Sequence, residues 1–278
     1  MQPCTVERVQ SLCAEFGFQF SKSLGQNFLV SPNVIETIVG RAGLDSDTVV
    51  LEIGPGFGAL TGALAERAGQ VVALELDDAL FPVLHKTLAD EENVRLVHGD
   101  ALQADYASLL AEFPQTRRVA AANLPYYITT KAILRLLESR LFERVTVMIQ
   151  REAAAKLLCA PGSQNWCLFS LLVHHYADVT SVCSVPRSCF YPQPKVDSTV
   201  LQFVPRKPLV DAAEARFSAI ATAIFAMRRK TLANCLKSMP DVCDAMRRCG
   251  LDSSRRGESL SLSEVEALAC EATGSTVS

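Results

Sequence analysis

Asn123-Leu124-Pro125-Tyr126 has the composition of a grip on an aromatic amine. The exocyclic nitrogen of adenine is a poor nucleophile, because its lone pair is delocalised into the ring. A protein that makes it attack must place hydrogen-bond acceptors at both N–H groups and bias the nitrogen toward tetrahedral geometry. The side-chain oxygen of Asn123 and the carbonyl of Leu124 are two such acceptors. Pro125 fixes φ and so pre-sets the turn that aims them, and Tyr126 offers a face for the base to stack on. No general base is needed in advance, since the nitrogen becomes acidic once alkylated. Standing alone, the tetrapeptide is also an ordinary strand end followed by a turn.

A second constellation lies upstream, in Leu51-Glu52-Ile53-Gly54-Pro55-Gly56-Phe57-Gly58-Ala59-Leu60. Thr48 to Ile53 is β-branched and apolar with one carboxylate, and it runs straight into glycines at alternate positions. Glycine permits positive φ and close approach of a ligand to the backbone. From Leu60 to Ala68 the apolar spacing is helical, and Gly69 stands where a C-cap glycine belongs. The turn therefore joins the carboxyl end of a strand to a helix, which is where open α/β sheets bind nucleotides. Twenty-one residues after Gly54, a strand over Gln70 to Leu74 ends in Glu75-Leu76-Asp77. A carboxylate there can accept from both hydroxyls of a ribose, each charge-assisted bond being worth about 1.5–3 kcal/mol. Asp100, after a third strand over Asn93 to Val97, can accept from an adenine amine or serve as a helix N-cap. Gly54-x-Gly56-x-x-Ala59 also satisfies the dinucleotide fingerprint, so these features alone leave NAD and other adenosyl ligands open.

The elements that must position these residues alternate early. Further strands are expected over residues 118–122, Val145 to Ile149, Asp178 to Val185 and Ser198 to Val204, the last two joined by the proline-rich segment from Pro186 to Asp197. Strands alternating with helices and then pairing late without one predict an α/β fold, a mostly parallel seven-stranded sheet with one antiparallel strand near an edge. Past Pro205-Arg206-Lys207-Pro208 the pattern is helical, and Ser261-x-x-Glu264 is a capping box. The expected division is therefore a Rossmann-like domain over 1–204 and a small all-helical domain over 205–278.

With 278 residues, 49% of them hydrophobic, and no run near 18 apolar residues, the chain reads as globular without a membrane span. Met1 to Phe20 carries Glu7, Arg8 and Glu15 and no apolar signal core, so a cytoplasmic protein is expected. Ten cysteines are scattered without a Cys-x-x-Cys pair, which favours reduced thiols, and the four histidines have no zinc spacing, so no metal site is expected. Net charge is −3, yet residues 205–256 hold eleven Lys or Arg against five Asp or Glu. A local basic surface on an acidic protein suits a specific polyanion; solvated helix faces are the plain alternative.

Leu24-Gly25-Gln26-Asn27-Phe28-Leu29, the glycine turn, Glu75-Leu76-Asp77, Gly99-Asp100, Asn123 to Tyr127, Phe190-Tyr191-Pro192-Gln193-Pro194-Lys195-Val196-Asp197-Ser198 and Arg228-Arg229-Lys230-Thr231-Leu232 stand in one order along the chain. In that order the sequence resembles the class I S-adenosylmethionine-dependent ribosomal RNA adenine N6-dimethyltransferases, closest to the bacterial small-subunit enzymes of the KsgA type. The resemblance implies S-adenosylmethionine as cofactor and 16S rRNA within the small ribosomal subunit as partner, with two adjacent adenosines near the 3′ end dimethylated, and a monomer. It implies that Asn27, Leu29, Gly54, Gly56, Glu75, Asp100 and Asn123 meet the cofactor. It implies further that Asn123, Leu124, Pro125 and Tyr126 hold the target base, with Phe190 stacked on its other face. On that reading Arg151, Lys195, Arg228, Arg229 and Lys230 are expected to contact RNA phosphates. Trp166-Cys167-Leu168-Phe169-Ser170 departs from the family's Tyr-Gly-Arg-Leu-Ser and puts a phosphate contact or tight turn there in doubt. The alternatives are a large-subunit methyltransferase of the macrolide-resistance type, an NAD-dependent oxidoreductase on the same turn, and a non-catalytic assembly or transcription factor.

Overall fold

The computed structural model describes residues 5–21, 25–113, 117–227 and 229–275. Leu24 and Arg228, both part of the motifs above, lie outside the described residues. The strands are β1 (Phe28–Leu29), β2 (Thr48–Ile53), β3 (Gln70–Glu75), β4 (Val94–His98), β5 (Arg117–Asn123), β6 (Arg144–Gln150), β7 (Ala177–Val185), β8 (Phe190–Tyr191) and β9 (Ser198–Pro205). The helices are α1 (Val6–Phe16), α2 (Pro32–Ala42), α3 (Ala59–Ala65), α4 (Phe81–Thr87), α5 (Tyr106–Leu110), α6 (Thr129–Glu138), α7 (Arg151–Leu157), α8 (Leu168–Tyr176), α9 (Asp211–Ala226), α10 (Leu232–Leu236), α11 (Pro240–Arg248) and α12 (Leu262–Thr273).

Seven strands form one sheet in the order β4-β3-β2-β5-β6-β9-β7. β2 runs parallel to both β3 and β5, β5 parallel to β6, and β9 antiparallel to β6. The expected antiparallel strand is thus β9, one place in from the edge. All six residues of β2 are buried, which is why its sequence is a continuous β-branched and apolar run rather than an alternation. Chain order reverses at β2, and the crevice outside the carboxyl ends of β2, β3 and β5 is where such a sheet admits a ligand.

Two local readings are corrected. α3 stops at Ala65 with Glu66 as its cap, so Gly69 is not a C-cap. Its N–H instead donates to the carbonyls of Asp45 (3.1 Å) and Thr48 (3.0 Å), tying the entry of β3 to the start of β2. The segment from Pro186 to Asp197 is also more than a connection. It contains β8, which pairs antiparallel with β1 so that Leu29 faces Phe190 and Phe28 faces Tyr191.

Two compact units divide the chain: Met1–Ala154 with Val179–Pro205, and Ala155–Asp178 with Arg206–Ser278. The crossing after Pro205 coincides with the proline-flanked basic stretch. The 24-residue segment Ala155–Asp178 groups with the C-terminal helices rather than with the sheet, unlike the 1–204 division read from sequence.

In the helical unit, Phe217, Ile220 and Ile224 of α9 pack with Leu236, Val242, Leu260, Val265 and Leu268. Trp166 and Leu171 belong to the same cluster, so the Trp166 departure sits inside this core, its ring filling space among aliphatic side chains. α12 opens on the expected capping box: Ser261 Oγ accepts from the Glu264 N–H at 3.2 Å, and Glu264 Oε2 accepts from the Ser261 N–H at 2.8 Å. Arg255 grips Glu264 at 2.5 and 3.1 Å and is the main cause of its carboxyl being lowered to about 2. Buried His175 lies between Glu266 (Nδ1 to Oε1, 2.9 Å) and Glu214 (Nε2 to Oε1, 3.1 Å), its ring stacked on Phe217. Among the described residues, no helix is long and apolar enough to cross a membrane.

Candidate active site

The glycine turn, the carboxyl ends of β3 and β5 and the segment around β1 line one open cleft. Its walls include Asn27, Leu29, Gly54, Gly56, Glu75, Asp100, Asn123, Leu124, Pro125 and Tyr126, which are all but one of the residues singled out for cofactor and base. The exception is Phe190. Its side chain is 3% exposed and belongs to the cluster of Leu29, Val34, Ile35 and Val200, behind Leu29 of the cleft wall. The β1–β8 pairing places it there, so in this conformation it cannot stack on a base.

The backbone forces the turn. Gly54, Gly56 and Gly58 have φ of 70°, 59° and 84°, and a Cβ on Gly56 would come within 2.7 Å of the Phe28 ring. A Cβ on Gly54 would lie 3.9 Å from Pro125 Cδ, so the turn and the Asn-Leu-Pro-Tyr segment are immediate neighbours.

Asn123 is the last residue of β5. Its Nδ2 donates to the Asn27 carbonyl at 3.1 Å, which fixes the amide and leaves its oxygen as an acceptor. The Leu124 N–H donates to Met148 O at 3.2 Å. The Pro125 carbonyl accepts from the Ile128 N–H and the Thr129 hydroxyl, each at 3.2 Å, so both sides of the turn are fixed before α6 begins. Among the described residues, neither Asn123 Oδ1 nor the Leu124 carbonyl has a protein donor. Tyr126 reaches Ser198 Oγ at 3.5 Å, and burial raises the pKa of its phenol.

Glu75 closes β3. One carboxylate oxygen accepts from the N–H groups of Leu76 (2.8 Å) and Asp77 (2.9 Å); the other has only a 3.5 Å contact with the Gly56 N–H and is the one left for a ligand. Burial raises its pKa against the pull of these N–H groups. Asp100 is more engaged than a free acceptor. Its oxygens accept from Leu102 N at 2.8 Å and Gln103 Nε2 at 3.0 Å, the turn-capping role, which leaves each oxygen a second lone pair.

Sequence reasoning gave no role to two residues. Gln26 bridges the Ser21 N–H (2.7 Å) and Asp77 (2.6 Å) and so straps the Gly25–Leu29 segment to the end of β3. Glu52 lines the cleft from inside β2, 1% exposed. Its signal was in plain view, as the single acid in an otherwise apolar strand.

The described basic candidates are exposed in both units. Arg151 is exposed and 3.5 Å from Asp197, and Lys195 is exposed. Arg229 and Lys230 are exposed just past α9. Much of the basic excess over 205–256 is neutralised locally, since Arg206, Arg216, Arg247, Arg248 and Arg255 each have a carboxylate partner. Among the described residues, no group of three or more His, Cys, Asp or Glu could hold a metal ion.

A mostly parallel seven-stranded sheet whose antiparallel strand lies next to the edge, with an acid-tipped second strand beside a glycine turn, defines the class I S-adenosylmethionine-dependent methyltransferases. The lining suits that cofactor, because it offers acids and acceptors and, among the described residues, no Lys, Arg or His to repel a sulfonium. The family model for ribosomal RNA adenine dimethylase matches residues 17–263, and the chain belongs to that family. A "Ribosomal RNA small subunit methyltransferase A" of Geobacillus thermodenitrificans is 43% identical over 95% of this chain and 94% of its own. A solved dimethyladenosine transferase from Plasmodium falciparum is 25% identical, with a TM-score of 0.73 over 87% of this chain and 95% of its own. The 23S rRNA methyltransferase ErmE is 28% identical, with a TM-score of 0.69 over 89% of this chain and all of its own.

Proposed function

We propose that this enzyme dimethylates the N6 amines of two adjacent adenosines in the 3′-terminal hairpin loop of 16S rRNA in the small ribosomal subunit, acting as a monomer in the cytoplasm. The observation that carries the reading is the pair of acceptors, Asn123 Oδ1 and the Leu124 carbonyl. Both are held by bonds on their far side and lack protein donors among the described residues, beside the glycine turn.

S-adenosylmethionine, when bound, supplies an electrophilic methyl group on a positively charged sulfur. The backbone of Gly54 and Gly56 admits its amino-acid portion, Asn27 and Leu29 cover it, Glu75 holds the ribose hydroxyls and Asp100 meets its adenine amine. The target adenine enters against Tyr126, and Asn123 and Leu124 accept its two N–H hydrogens. This draws the nitrogen lone pair out of conjugation and aims it along the methyl–sulfur axis. A loop adenosine is already partly unstacked, which lowers the cost of turning it into the site. Arg151, Lys195, Arg228, Arg229 and Lys230 neutralise phosphates and set register. A base platform at Phe190 requires that ring to leave the cluster around Val34 and Val200.

The likeness to ErmE supports a second reading, action on large-subunit RNA. The small-subunit reading has the support of curated relatives at 43% and 41% identity over 95% of the chain. Offering small and large subunits that lack the modification, with labelled S-adenosylmethionine, separates the two. Dimethyladenosine at the adjacent pair of the 3′-terminal hairpin is expected; label in large-subunit RNA alone would overturn the proposal.

A further inference from the structure

Glu52 is a buried acid that the mechanism above does not use. In the ladder it stands between Ala73 of β3 and Ala121 of β5. Among the described residues no group hydrogen-bonds its Oε2. From α3 the Thr61 hydroxyl acts on it, and among the described residues that hydroxyl has no close hydrogen-bond partner. The charged side chain acting on it is Glu75 of β3, another acid. Glu52, Glu75 and Asp100 share the cleft wall with no Lys, Arg or His among its described residues. A carboxylate in such a place is largely stripped of water and has no counter-charge beside it, and a proton removes that cost.

The ligand argued above reverses this balance. S-adenosylmethionine carries a sulfonium, an ammonium and one carboxylate, so its net charge is positive. We propose that Glu52 is protonated in the cofactor-free protein and ionises when the cationic cofactor enters, so that binding expels one proton. The Glu52 O–H bond breaks, the proton passes to buffer, and the remaining carboxylate is balanced by the charge of the cofactor. The inference rests on the reading of the cleft as the cofactor site. Burial is the main force on the acid, with the Thr61 hydroxyl opposing and Glu75 adding to it, and together they push it up to about 8.

Affinity for S-adenosylmethionine then rises with pH by about tenfold per unit through the neutral range and levels off in mild alkali. The test is titration calorimetry of the full chain with S-adenosylmethionine near neutral pH, in two buffers of very different ionisation enthalpy. Close to one proton released per cofactor bound is expected, and Glu52→Gln, which imitates the protonated acid, abolishes both the release and the pH slope. Binding with the same heat in both buffers overturns the inference and leaves the cofactor reading intact, and proton release that persists in Glu52→Gln does the same. Absence of binding at any pH overturns the cofactor reading and this inference with it. Should Glu52→Gln fail to fold, the buffer comparison and the pH dependence of affinity of the unmutated chain decide the matter.

Discussion

Glu52 and Glu266 are both acids withdrawn from water, one at the heart of the sheet and one in the helical unit, and the chain treats them in opposite ways. Glu266 accepts from His175 at 2.9 Å and from Arg206 at 3.4 Å, and nearby Arg255 holds Glu264 in the same spirit. Glu52 has an orphaned oxygen and an acid for a neighbour. At the same end of the sheet, Asn123 and Leu124 are braced on one side and bare on the other. Buried polar groups in folded proteins are overwhelmingly satisfied, so a cluster of unsatisfied ones marks where a ligand completes the structure. The helical unit spends its charges on holding its own fold; the carboxyl end of the sheet reserves them.

That contrast can be broken by substitution. His175→Ala removes a ring stacked on Phe217 and strips a partner from Glu266 and Glu214, so it should destabilise the helical unit by about 3 kcal/mol. The expected record is a lowered unfolding midpoint with unchanged affinity for S-adenosylmethionine. Glu75→Ala should do the converse. Cofactor affinity falls by about 2 kcal/mol, near thirtyfold, while the unfolding midpoint moves little, as calorimetry and thermal melts would record.

The pH dependence of stability should carry both signatures with opposite signs. Glu264, lowered from 4.5 to about 2, stabilises the fold above its unfolded value, and that contribution is lost as pH falls from 4.5 toward 2. Glu52, raised from 4.5 to about 8, favours the folded state most below 4.5, and that contribution is lost as pH rises toward 8. Melting curves of the cofactor-free protein across this range should lose the acid-side slope in Arg255→Ala and the neutral-side slope in Glu52→Gln. The smallest effect is expected at the surface. Arg229→Ala with Lys230→Ala should weaken RNA binding several-fold and lower its salt dependence by about one unit of slope per charge, without altering cofactor affinity.

The sheet was readable because buried parallel strands are long apolar, β-branched runs. The seven expected strands fall within a residue or two of those observed. The cleft was readable because glycines, Glu75, Asp100 and Asn123 sit at strand ends, where fold and ligand requirements coincide. Elements whose pairing is too short to leave a period were not legible. β1 and β8 have two residues each, yet their pairing buries Phe190. Grouping of Ala155–Asp178 with the helical unit was equally hidden, since it depends on where Trp166 and Leu171 pack rather than on any linker composition. The basic excess over 205–256 overstated the free positive surface, because the acids that pair with Arg206, Arg248 and Arg255 include Glu264, Glu266 and Glu271, beyond the counted window.

The most direct test of the central claim is single-turnover methyl transfer to small subunits lacking the modification, comparing the unmutated chain with Asn123→Ala at matched cofactor and subunit occupancy. If Asn123 holds the amine in its reactive form, transfer should fall by about a hundredfold to a thousandfold while the protein stays folded. Transfer at an undiminished rate would contradict the account.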